Sequence, residues 1–158
     1  MRNRKTDSSI RRQRGASLVE LAAIVTFLLL LTLGVIDFGR GYYLGIEVAN
    51  AADAGAQYGL QNPGDASLTG DMKQAAKNDA ADVTTWAANY PLAVTGCMCS
   101  DGSSPSPGCG SNPSCPGGTQ VVNYVTVQTR ATYTPMFPWP GVPSSITLNG
   151  SATYWVGQ

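Results

Sequence analysis

Three sets of side chains in this 158-residue chain have the type and spacing for chemistry. Cys97, Cys99, Cys109 and Cys115 form a C-x-C-x9-C-x5-C pattern, which suits disulfides or a thiolate-bound metal. Asp79 and Asp82 have the spacing of paired acids on one helix face. Glu20 is a lone carboxylate near the start of an apolar run, where a charge is costly unless something compensates it. The chain has no histidine, so zinc–His centres and Ser/His or Cys/His nucleophile pairs are excluded. It has no P-loop, no dinucleotide-binding glycine pattern and no H-E-x-x-H. We expect no enzyme activity, no cofactor, no metal and no small-molecule substrate. Asp79 and Asp82 read as part of an exposed polar face.

The cysteines lie in a segment, residues 97–118, made largely of Ser, Gly, Pro, Asn and Cys. Such a composition builds no core and needs staples. The pattern lacks the paired C-x2-C knuckles of a zinc site, so structural disulfides are the expectation. A Cys97–Cys99 bridge would close a strained small ring, so each of these two pairs forward. Cys97–Cys115 with Cys99–Cys109, and Cys97–Cys109 with Cys99–Cys115, both remain open. Closing loops this short contributes about 2–3 kcal/mol each.

The element that must position Glu20 is a long helix. Leu21 to Ile36 is sixteen residues without a charge, and extension back to Ala16 gives twenty-one residues with Glu20 as the one charge. At about 1.5 Å per residue this spans the roughly 30 Å hydrocarbon core of a bilayer. The net charge is zero, yet the halves differ. Through Arg14 there are six Lys/Arg against Asp7; beyond it there are four Lys/Arg against nine Asp/Glu. The basic head reads as a cytoplasmic membrane flank and not as a nucleic-acid arm, so residues 41–158 lie outside the cytoplasm. A cleaved secretory signal is the alternative, with an A-x-A pattern at Ala49-Asn50-Ala51. That pattern sits too far beyond Ile36, and the run is too long for a typical signal peptide.

The stretch Gly15-Ala16-Ser17-Leu18-Val19-Glu20, after a cluster of arginines and before the apolar run, resembles the processing site of type IV pilins and pseudopilins. The resemblance implies cleavage between Gly15 and Ala16 on the cytoplasmic side, with Glu20 as the fifth residue of the mature chain. Ala16 would then carry a free amine one helical turn from Glu20. A neighbouring subunit's amine pairing with Glu20 would reward docking in register. Farther on, Gly34, Asp37, Phe38, Gly39 and Arg40 resemble the Gly-aliphatic-aliphatic-acidic-Phe-Gly-Arg step of TadE-like pseudopilins of the tight-adherence pilus machinery. The run Asn50 to Ala56 resembles the Ala-Ala-x-x-Gly-Ala stretch of the same family.

Read without any family, residues 37–59 show Gly41, Gly45, Ala49, Ala52 and Ala56 at spacings of three or four. This is a stripe of small residues beside a bulkier stripe of Phe38, Tyr42 and Ile46. Small residues let another element approach closely, while glycines weaken a solvated helix by about 1 kcal/mol each. The helix therefore depends on a partner, either its own head or other subunits.

Asn62 to Gly70 reads as a loop. Asp71 to Tyr90 reads as a helix with Met72, Ala76, Ala80, Val83, Ala87 and Tyr90 on one face, ended by Pro91. A short strand over Leu92 to Met98 precedes the cysteine loop. Val121, Val125, Val127, Ala131 and Tyr133 alternate with polar residues, as do Ile146, Leu148, Ala152, Tyr154 and Val156. The two strands read as an antiparallel pair covered by the helix 71–90. In the Pro-rich connection, Pro135 to Pro143, Phe137 and Trp139 are expected to plug the end of the sheet, with a contact patch as the alternative.

The expectation is an α+β chain: a basic leader (1–15), a transmembrane and stalk helix (16–60, span about 16–36), and an extracytoplasmic head (61–158). By resemblance it is a pseudopilin or minor subunit of a tight-adherence-type pilus or secretion system. It would be a single-pass protein of the bacterial inner membrane with its N-terminus in the cytoplasm. Its partners would be the lipid bilayer, a prepilin peptidase, other pilin-type subunits and the assembly platform, with no nucleic acid. An uncleaved signal-anchored protein with a binding head is the alternative.

Overall fold

The computed structural model describes residues 5–62, 68–106, 109 and 113–156, with side chains from Ala16 onward. The architecture is α+β, as expected: helix α1 (Lys5–Gln61), helix α2 (Leu68–Asp79), and strands β1 (Leu92–Cys99), β2 (Val121–Tyr133) and β3 (Ile146–Val156).

 The strands form one antiparallel sheet in the order β1-β2-β3. The chain divides into two compact units, residues 1–40 and 41–158.

In the second unit the small residues of α1 explain the packing. Val48, Ala51, Ala52 and Ala56 are fully buried, and with Met72, Ala76, Val125, Val127 and Ala131 they form the core. The buried stripe follows helical spacing, which keeps one face of α1 on the sheet. Three glycines permit the approach. A Cβ on Gly55 would lie 2.7 Å from the Met72 carbonyl oxygen, and one on Gly59 would lie 2.8 Å from the Met72 sulfur. A Cβ on Gly150 of β3 would lie 2.6 Å from the Val48 carbonyl oxygen. Thr129 of β2, also buried, donates its hydroxyl to that carbonyl at 2.6 Å. Tyr154 of β3 donates its hydroxyl to the Asp53 carboxylate at 2.7 Å.

The partner of the small-residue stripe is thus the chain's own head. Gly41, Ala52 and Ala56 of the expected stripe face inward, Gly41 against the Tyr133 ring. Gly45 has open space where a Cβ would be, and Ala49 is exposed. The bulkier Phe38, Tyr42 and Ile46 are exposed.

Two expectations need correction. The second helix covers Leu68–Asp79 and not 71–90, so Leu68 to Gly70 belong to its first turn. Residues 63–67 of the expected loop lie outside the described residues. The apolar period does bury Met72, Ala76, Ala80 and Val83, but the chain leaves the helix before the last two. Val83-Thr84-Thr85 is a β-branched run of low helix propensity. Next to it the backbone finds partners on β2: Thr132 N–H donates to the Thr85 carbonyl at 3.0 Å, and Ala87 N–H to that of Arg130 at 2.9 Å. Secondly, α2 does not cover the sheet alone; residues 41–61 of α1 contribute Val48, Ala51, Ala52 and Ala56 to the core.

The strands follow the alternation read from sequence. Val125, Val127, Thr129, Ala131 and Tyr133 of β2 are buried, and β3 alternates half-buried and exposed along its length. Thr129 extends the apolar parity with a hydroxyl that its bond to Val48 satisfies.

Of the two disulfide pairings left open, the structure has Cys97–Cys109 and Cys99–Cys115, with Cα separations of 5.5 and 5.7 Å. Cys97 and Cys99 are two residues apart on a strand and therefore share a face. The loop they staple covers the outer edge of β1: Cys97 N–H donates to the Cys109 sulfur, and Cys99 N–H to the Ser103 carbonyl, each at 2.9 Å. At these two positions the edge strand is closed to further pairing.

Candidate functional site

The candidate site is the N-terminal part of α1, taken in order along the chain. Gly15 and Ala16 lie within the helix, which runs from Lys5 without interruption. Glu20 follows Ala16 by four residues, one turn, and is exposed. From Leu21 onward the side chains are large, apolar and outward on every side. Ile24, Phe27, Leu28 and Leu31 are each at least half exposed. Among the described residues this is the one helix long and apolar enough to cross a membrane.

Two threonines interrupt the run, and their hydroxyls are satisfied within the helix. Thr26 donates to the Ala22 carbonyl and Thr32 to the Leu28 carbonyl, both at 2.8 Å. This i to i−4 bond removes the cost of carrying a bare hydroxyl into hydrocarbon. Among the described residues no such bond is made by Glu20, and its charge marks the start of the segment as chemically distinct.

At the C-terminal end of the apolar run, the Gly34-to-Arg40 step divides by exposure. Asp37 is 2% exposed, Gly34 is half-buried, and Phe38, Gly39 and Arg40 are exposed. The burial of Asp37 was not anticipated. The signal for it was a carboxylate one residue past an uncharged run, where an acid needs a structural reason to stand.

Beyond Arg40, in the second unit, Tyr43 hydrogen-bonds to Glu47, one turn on. The carboxylates of Glu47 and Asp82 push the Tyr43 phenol above its ordinary value of 10.0. Tyr154 is likewise raised, chiefly by the carboxylate of Asp53 that accepts its hydrogen bond. Asp79 and Asp82 are both exposed, and Asp82 acts on Tyr43 electrostatically. Sequence reading missed Asp53, Thr129 and Tyr154 as polar ties between α1 and the sheet. Thr129 had one legible signal, a hydroxyl at an inward parity position between Val127 and Ala131. Among the described residues no group of three His, Cys, Asp or Glu is placed to hold a metal ion.

No curated protein and no solved structure matches the chain. Residues 15–57 match the model of the TadE-like protein family, from the glycine at the expected processing site to the buried small-residue face of α1, and over that segment the chain is similar to TadE-like proteins.

Proposed function

We propose that this chain is a pilus-associated subunit of a tight-adherence-type system, a pseudopilin or minor pilin that works through its N-terminal helix. The observation that carries this reading is the family match beginning at Gly15, on a helix whose apolar run holds Glu20 as its one acid. In this reading the basic leader stays in the cytoplasm, residues 16–36 cross the inner membrane, and the α+β head stands outside. A prepilin peptidase cuts between Gly15 and Ala16. The chain is a substrate of that enzyme and catalyses nothing itself.

Cleavage gives Glu20 its use. A carboxylate at the bilayer centre costs about 2.5–3.5 kcal/mol on insertion scales, and less near an interface. The new amine of Ala16 supplies a cation at the same end of the helix, either in the same chain or on a neighbour. Pairing Glu20 with a neighbour's amine sets the axial register of two helices, because a slipped register leaves a charge unpaired in an apolar setting. The Asp37 to Arg40 step ends the span on the other side.

N-terminal sequencing of the membrane-bound protein tests the processing: Ala16 is expected, and Met1 would overturn it in favour of an uncleaved anchor. A piliation assay on Glu20→Ala tests the pairing. Loss of fibres with normal membrane insertion is expected; fibres at the normal level would remove the role of Glu20.

A further inference from the structure

We propose that the loop joining β2 to β3, residues 134–145, is a second membrane contact that inserts its apolar tip into the headgroup layer beside α1. The proposal rests on the reading that residues 16–36 cross a bilayer. Its starting point is the place where the loop leaves the sheet. Tyr133, the last residue of β2, lays its ring against Gly41, where a Cβ would lie 2.9 Å from ring carbon Cε1. Thr134 therefore emerges level with Gly41. Gly41 follows Ile36 by only five residues, a tether of at most roughly 18 Å, so this end of the head stays near the end of the span.

The composition of the loop fits that location. Residues 134–145 contain no charged side chain, and Met136, Phe137, Trp139 and Val142 are apolar. Met136 is 60% exposed and Phe137 42% exposed. These values overturn the expectation that Phe137 plugs the end of the sheet. Phe137 and Trp139 meet edge to face at 6.2 Å and form one aromatic unit. Large exposed apolar side chains at the tip of a loop need an apolar environment. Aromatic residues are the ones that favour the membrane–water interface.

The backbone fits as well. Pro135, Pro138, Pro140 and Pro143 have no N–H to desolvate, and the Val142 N–H is bonded to the Trp139 carbonyl at 3.1 Å. A loop that enters the interface must carry few bare donors, and this one has shed or satisfied five of them. On α1, Tyr42 and Tyr43 are exposed just after Gly41, so helix and loop both present aromatic rings at this end of the head. A lipid surface is favoured over a protein partner because only five residues separate Ile36, the end of the span, from Gly41.

The chain has three tryptophans, which permits a direct test. The full chain is reconstituted in phosphatidylcholine–phosphatidylglycerol vesicles, as a variant carrying Trp86→Phe and Trp155→Phe. Its remaining fluorophore, Trp139, is read with lipids brominated at shallow or deep acyl positions. Trp155 lies nine residues beyond Ile146 on β3, roughly 30 Å from the loop, and serves as the distant control in a Trp86→Phe, Trp139→Phe chain. The expected result is a blue-shifted Trp139 emission that shallow bromines quench more than deep ones, with Trp155 unquenched. If the chain floats with the vesicles and Trp139 is no more quenched than Trp155, the loop contact is overturned while the span stands. If the chain does not float with the vesicles, the span fails and the loop contact with it. Should the loss of Trp86 unfold the head, subtracting the quenching of a Trp139→Phe chain from that of the unaltered protein gives the same reading.

Discussion

In the first part of α1, Leu21, Ile24, Leu28 and Leu31 are 50–56% exposed, whereas farther along Val48, Ala51, Ala52 and Ala56 are fully buried. Large apolar side chains stand outside and small ones lie inside, the reverse of what water alone selects. The contrast fits two different environments acting on one helix. Residues 41–61 meet a sheet, and their small side chains let the backbone come close enough for Thr129 to reach the Val48 carbonyl. The large apolar side chains of residues 16–36 are exposed, and their bulk suits lipid tails or the helices of other subunits.

The largest expected effect comes from breaking the first half. Leu28→Arg places a charge near the middle of the span, at a cost of about 2.5–3.5 kcal/mol on insertion scales. Membrane insertion, followed by resistance to carbonate extraction, should fall sharply, while the isolated fold of residues 41–158 has no reason to change. Retention of full insertion would mean that residues 16–36 are not in hydrocarbon.

The matching break in the second half is Gly150→Val. Its Cβ would meet Val48 and Ala49 backbone atoms at 2.6 and 2.9 Å, and backbone cannot swing aside as a side chain can. Overpacking of this kind costs about 1–3 kcal/mol. Thermal unfolding in detergent should shift down, while membrane insertion is unaffected. An unchanged unfolding temperature would mean that α1 does not lie on β3.

A smaller test concerns the polar tie between helix and sheet. Asp53 raises the pKa of Tyr154 above 10.0, so the folded chain holds that phenolic proton more tightly than the unfolded chain does. The stability gained is fully present below pH 10 and is lost as pH rises through the raised value. Tyr154→Phe should remove this part of the alkaline decline and leave the part that Tyr43 contributes. An identical decline in both proteins would show that the Tyr154–Asp53 bond contributes nothing.

These contrasts were unevenly legible in the amino-acid order. The span, Glu20 and both long strands rest on local patterns: an uninterrupted apolar run, one charge within it, and alternation with a period of two. The stripe of small residues was visible as well, but its partner was not. Close packing against the chain's own head or against another subunit selects the same glycines and alanines. The overrun of the second helix has a related cause. Ala80 and Val83 keep the helical period because they too are buried, and the helix ends where Thr85 and Ala87 pair with residues of β2 far along the chain. The disulfide pairing depended on how the loop folds back along β1, which spacing alone left open between two solutions. In the candidate site, Gly15, Ala16 and Glu20 were legible as a motif, while the burial of Asp37 was not.

The smallest effect, and the one that separates packing from helix propensity, uses two glycines of α1 with different surroundings. At Gly45 a Cβ meets nothing within 4 Å, whereas at Gly55 it meets the Met72 carbonyl oxygen at 2.7 Å, Ala76 at 3.1 Å and Val127 at 3.2 Å. Replacing glycine with alanine in an open helical position favours the helix by up to about 1 kcal/mol. Gly45→Ala should therefore raise the unfolding temperature slightly. Gly55→Ala gains the same propensity but must displace backbone, so it should lower that temperature. Gly39, in the first unit, also has open space, and Gly39→Ala should behave as Gly45→Ala does wherever its helix is monitored. Opposite signs at Gly45 and Gly55 mean that contact with the sheet and α2, and not helix propensity, selected the glycines of the inner face. Equal signs would mean that the helix tolerates a methyl group on either side, and the close approach described for the second half would be wrong.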